Sequence, residues 1–76
     1  MTPQELKAAR QRLGLSTEAF ARVFGAHDGR TVRGWEHGSR NGLPAHIPRS
    51  IAILVTLALA VPEARAWLGV DAPPGR

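Results

Sequence analysis

Apolar residues recur along this chain at helical spacing. Leu6, Ala9 and Leu13 share one face of a helix, and Phe20, Val23 and Phe24 stand at i, i+3 and i+4 of another. No stretch sustains the period of two that marks a strand. The punctuation agrees with the periodicity. Thr2 is an N-cap residue, Pro3 suits the first helical position, Glu5 completes a Thr-x-x-Glu capping box, and Gly14 supplies a stop, which predicts helix 1 over about 3–13. Ser16 caps a second helix over about 16–25, with Glu18 near its positive end and Gly25 closing it. A third runs over about 29–37 and ends at Gly38. Residues 38–47 read as loop, since Leu43-Pro44 after the Asn41-Gly42 pair argues against a hairpin. A fourth helix runs from Pro48 to about Ala60, and Pro62 opens a short fifth that ends at Leu68. The expectation is an all-α fold of five helices, one domain over residues 1–70, with 71–76 as a disordered tail.

The third helix separates its chemistry by face. At about 100° per residue, Arg30, Arg33, Gly34 and His37 fall within an arc of about 100°, while Val32, Trp35 and Glu36 fall opposite. Burying Val32 and Trp35 leaves two guanidinium groups outward, and a guanidinium can bond the O6 and N7 acceptors of guanine as a fork. The same arrangement also fits an ordinary amphipathic helix with a solvated basic face.

Composition narrows the classes. The 76 residues carry ten Lys+Arg against six Asp+Glu, a formal charge of +4, and nine of the ten cations are arginine. A small basic domain hints at a polyanionic partner. There is no cysteine, hence no disulfide, no cysteine-ligated zinc and no thiol nucleophile. His27, His37 and His46 are spaced ten and nine apart with no carboxylate at ligand spacing, so no metal is expected. Asp28 and Asp71 lie in expected loop and tail, no nucleophile–base layout stands out, and no glycine-rich phosphate loop follows a strand. Neither an enzyme nor a cofactor is expected. The longest apolar run, Ile51 to Val61, is 11 residues, too short to span a bilayer, and the N-terminus lacks a signal-peptide layout. A cytoplasmic protein is expected.

The order of residues resembles the Cro/CI-type (XRE) helix-turn-helix family of small DNA-binding transcriptional regulators. The match runs through Leu13-Gly14-Leu15-Ser16-Thr17-Glu18-Ala19-Phe20-Ala21-Arg22-Val23-Phe24-Gly25 and then Arg30-Thr31-Val32-Arg33-Gly34-Trp35-Glu36-His37-Gly38, and covers roughly residues 3–61. The turn Ala26-His27-Asp28-Gly29 is one residue longer than the family's usual spacing, and Thr17 stands where a glutamine is common. The resemblance implies a lambda-repressor-like domain whose third helix enters the major groove. It implies base readout by Arg30 and Arg33, with Gly29 and Gly34 beside them. It implies phosphate contacts by Thr17, Thr31, His37, Arg40 and Asn41, and an ion pair of Arg10 with Glu36.

Ser16 adds the N–H groups of a helix N-terminus, which suit a phosphate. Arg49, at the first turn of the fourth helix, opposes that helix's dipole and points to a phosphate nearby. Arg22, Arg65 and Arg76 read as solvated charge, and Arg12 and Lys7 read as solvated or as approaching a DNA backbone. The fourth helix is apolar on every side and must be covered. A homodimer through Leu59, Trp67 and Leu68 is expected, placing two third helices roughly 34 Å apart on a palindromic operator. The expected function is sequence-specific binding of double-stranded DNA as a repressor, such as the autorepressor of a phage, plasmid or mobile-element operon, with no small-molecule ligand and no membrane. The alternatives are an antitoxin or other protein-interaction module whose apolar C-terminal helices hold a partner, and a non-specific nucleic-acid or RNA binder.

Overall fold

A computed structural model describes residues 1–40 and 42–70, and for Arg40 the backbone alone. The chain forms α1 (Pro3–Arg12), α2 (Thr17–Phe24), α3 (Gly29–His37), β1 (Ser39–Arg40), β2 (Leu43–Pro44), α4 (Arg49–Ala60) and α5 (Pro62–Leu68). The class is all-α, with one minimal strand pair. The expected tail at 71–76 and the residue Asn41 lie outside the described residues.

Local chemistry sets the helix ends. The Thr2 N–H donates to Glu5 Oε1 at 2.7 Å and the Glu5 N–H donates to Thr2 Oγ1 at 3.1 Å, the reciprocal pair of a capping box. The Thr2 backbone bond, followed by its hydroxyl, holds the Glu5 carboxyl below its ordinary range. Ser16 Oγ accepts the Ala19 N–H at 3.1 Å and starts α2. Gly25 closes α2 at φ +81°, a left-handed conformation that costs a side-chain-bearing residue free energy. Asp28, in the turn ahead of α3, is that helix's cap. Its Oδ1 accepts both the N–H and the hydroxyl of Thr31, each at 2.9 Å.

Residues 38–47 are not simply loop. Ser39 pairs with Pro44 and Arg40 with Leu43 in an antiparallel register, with Gly42 at φ +78°. The proline is tolerated for a reason of register. The Ala45 N–H donates to Gly38 O at 3.1 Å, so the next hydrogen-bonding position on the alternating ladder is Arg40 with Leu43. Ser39 with Pro44 falls between them, where no N–H is required of residue 44.

The core joins all five helices. Leu6, Phe20, Val32 and Val55 are fully enclosed, and Phe20 and Phe24 stack tilted at 4.5 Å between ring centroids. α3 packs against both α1 and α2, and α4 also touches these two. Val61, in extended conformation, separates α4 from α5, whose axes diverge by 119°. Arg65 is not solvated charge. Its Nη1 donates to Ala58 O at 2.7 Å and Leu59 O at 3.3 Å, capping the carbonyl end of α4 from the next helix.

α4 is covered on one face only. Ile51, Val55 and Ala58 point inward, while Ile53, Leu54 and Leu57 remain 51%, 37% and 45% exposed. Among the described residues no single helix is long and apolar enough to cross a membrane.

Candidate nucleic-acid interface

α3 is held in place by its apolar side. Val32 is wholly buried and Trp35 nearly so, anchored against α1 and α2. Ala21, buried on α2, is small enough to let the two helices lie close. With that side fixed, Arg30, Arg33 and His37 are exposed together on the other.

The two glycines expected at this face belong to the interior. Gly29 is buried, and a Cβ there would lie 2.4 Å from Glu18 Oε1 and 3.0 Å from the Glu18 backbone nitrogen. Its smallness serves the approach of α3 to the start of α2, and it is shielded from any ligand. Gly34 is buried as well; it sits at the flank of the outward arc, and the chain that turns back at Gly38 lays β1 against this helix. Of the four residues expected at this face, only Arg30 and Arg33 are exposed.

The expected Arg10–Glu36 pair is present. Arg10 Nε donates to Glu36 Oε2 at 2.6 Å and Nη2 to Oε1 at 3.2 Å, a two-point fork. Arg10 Nη1 also donates to Leu15 O at 2.9 Å. The two side chains are only 14% and 8% exposed. One guanidinium therefore ties α1 to the end of α3 and to the loop that leads into α2.

This tie forms the floor of an open cleft of about 310 Å³ lined by Lys7, Arg10, Thr17, Arg33, Glu36 and His37. Arg10 and Glu36 neutralise each other, which leaves the rim cationic through Lys7 and Arg33. Thr17 Oγ1 accepts from Arg33 Nη1 at 2.9 Å. That bond uses a lone pair of the hydroxyl and leaves its hydrogen to donate outward, while the other donors of Arg33 stay available. Ser16, exposed at the start of α2, likewise keeps its hydroxyl hydrogen while its oxygen caps the helix.

Other expected phosphate contacts are placed differently. The Thr31 hydroxyl donates to Asp28, so it is not a donor to an anion. Arg49 lines a second groove with Met1, Glu5, Ile53 and Leu57. On α1, Glu5 and Ala9 of that groove face away from Lys7 and Arg10 at helical spacing, so Arg49 does not join the cationic cleft. The side chain of Arg40 and all of Asn41 lie outside the described residues. Lys7, which the sequence reads as solvated or as approaching a DNA backbone, lines the cleft beside Arg10. Its spacing of three from Arg10 puts both on one side of α1, a signal that gains meaning once Arg10 is known to face α3.

Among the described residues no three His, Asp or Glu side chains gather as a metal site. Compared with family models, with curated proteins and with solved structures, the chain matches none.

Proposed function

We propose that the chain is a sequence-specific binder of double-stranded DNA, built as a lambda-repressor-like helix-turn-helix domain in which α2 and α3 are the two helices of the motif. The observation that carries this is α3 itself: Val32 and Trp35 are buried while Arg30, Arg33 and His37 stand exposed on the opposite side. In this reading α3 enters the major groove and Arg30 and Arg33 bond guanine edges. Thr17 and Ser16 at the start of α2, with Lys7 and His37 at the cleft rim, take phosphate oxygens and fix the register. The Arg10–Glu36 fork keeps the cleft's two sides at a set distance.

The chain then acts as a transcriptional repressor in the cell compartment that holds the DNA, occupying an operator, as an autorepressor of a phage, plasmid or mobile-element operon does. Two copies related by a two-fold axis read a palindrome whose halves lie about one helical turn apart. The test is selection from a pool of random duplexes at physiological salt. Enrichment of a defined site is expected, and Arg33→Ala should cost about 1–3 kcal/mol on that site while relaxing the preference at one base pair. A pool that stays random, or equal loss on every duplex, would rule out base readout.

A further inference from the structure

Two apolar features of the surface are left open. Trp67, on α5, is 91% exposed, the most exposed large hydrophobic side chain in the described chain. The second is the groove of about 610 Å³ between α1 and α4, with Met1, Ala9, Ala52, Ile53 and Leu57 along it. Its volume lies within the range of clefts that bury a drug-sized molecule.

The groove has the polar groups that an indole requires. A buried indole needs an acceptor for its N–H, and its ring face attracts a cation. Glu5 stands on the α1 wall with Oε1 bonded to the Thr2 N–H and Oε2 open. Arg49 stands on the α4 wall, exposed, with no ion pair among the described residues. It lies at the positive end of its own helix, where a neighbouring π-face or carboxylate offsets an unfavourable position. Carboxylate, guanidinium and apolar floor together match an aromatic ring that carries one N–H donor, and the chain itself presents such a ring unpartnered.

We propose that Trp67 of one copy seats in the α1–α4 groove of a second copy, and that the second copy's Trp67 returns the contact. This rests on the homodimer in the reading above and specifies how it is made. A two-fold axis requires this form, in which residue i meets j and j meets i, and it leaves neither feature open. Of the other two expected anchors, Leu59 lines the same groove while packing partly on its own core, and Leu68 packs on the core outside it. The indole takes the place at the centre of the contact that tryptophan commonly holds in interfaces.

The test uses the full chain without DNA. Sedimentation across a concentration series should show a species of twice the 8.2 kDa chain mass. Trp67→Glu, which removes the knob, and Leu57→Glu, which spoils the groove, should each weaken association by about thirtyfold or more. Both positions are exposed, so circular dichroism should stay unchanged. Mixing the two variants should recover part of the two-chain species, because the intact Trp67 of one fits the intact groove of the other and re-forms one of the two contacts. Leu57→Glu acting alone, with Trp67→Glu silent and no rescue on mixing, would mean that α4 faces pair directly and would overturn the proposal. So would a single-chain wild type at every concentration, or a ladder of larger species that signals head-to-tail repetition. Each variant is also tested on a duplex bearing one half of the selected site. Retained half-site preference with lost assembly bears on the groove alone, whereas an assembled wild type that selects no duplex bears on DNA reading alone.

Discussion

Gly25 shows how a single residue can be required for its backbone and nothing else. Its φ is +81°, and a Cβ built there would meet nothing within 4 Å. Gly25→Ala should therefore destabilise the fold by about 1–2 kcal/mol through conformation alone, with no clash to relieve. Gly25→Asn should recover part of the loss, since asparagine tolerates the left-handed region better. Denaturant unfolding of both variants checks this, and equal losses for alanine and asparagine would contradict it. Gly29 is the opposite case. Its backbone is ordinary, and a Cβ there would crowd the start of α2, 3.0 Å from the Glu18 backbone nitrogen. The two look alike in sequence, as small residues flanking one turn. Only placement separates them, and this is why Gly29 could be expected at a DNA surface and turn out to be interior.

At the level of elements, the arrangement depends on a few long polar side chains that reach between helices. Arg10 bonds Glu36 on α3 and the Leu15 carbonyl ahead of α2. Removing it leaves a carboxylate that is only 8% exposed without its partner. Arg10→Ala should cost about 2–4 kcal/mol in unfolding free energy, and Glu36→Gln should cost less because a neutral amide still bonds the guanidinium. A loss of a few tenths, typical of a surface pair, would show that the fork is dispensable. The ends of α1, α2 and α5 were legible because caps and glycines act within three or four residues. The Arg10–Glu36 pair was legible by resemblance, across a separation of 26 residues. Arg65 was not legible: it caps α4 from α5, and that role exists only once the bend at Val61 turns the second helix back. The strand pair is not legible either, since Pro44 argues against it and the alternation that spares residue 44 is set by register and not by composition.

For the molecule as a whole, charge decides how any polyanion would be met. The ten Lys+Arg are spread over the chain, yet Arg10 and Arg65 are consumed by internal bonds and Arg49 belongs to a groove on another side. What remains at the cleft is Lys7 with Arg33. Lys7→Ala should weaken binding of every duplex to a similar extent and reduce the slope of log affinity against log salt by about one. A salt titration with the selected and a scrambled duplex measures both. An unchanged slope would remove Lys7 from the contact surface.

The alternation of apolar and polar residues, with caps and stops, determined by itself that five helices form among the described residues and which side of the first three turns inward, because those choices depend on neighbours within a turn or two. It also determined that Val32 and Trp35 oppose Arg30 and Arg33 on α3. The tertiary structure alone decided which cations are spent on internal carbonyls and carboxylates, which glycines are buried, and that α4 keeps one apolar face uncovered. Those outcomes depend on distances between segments far apart in the chain, which packing fixes and local sequence does not encode.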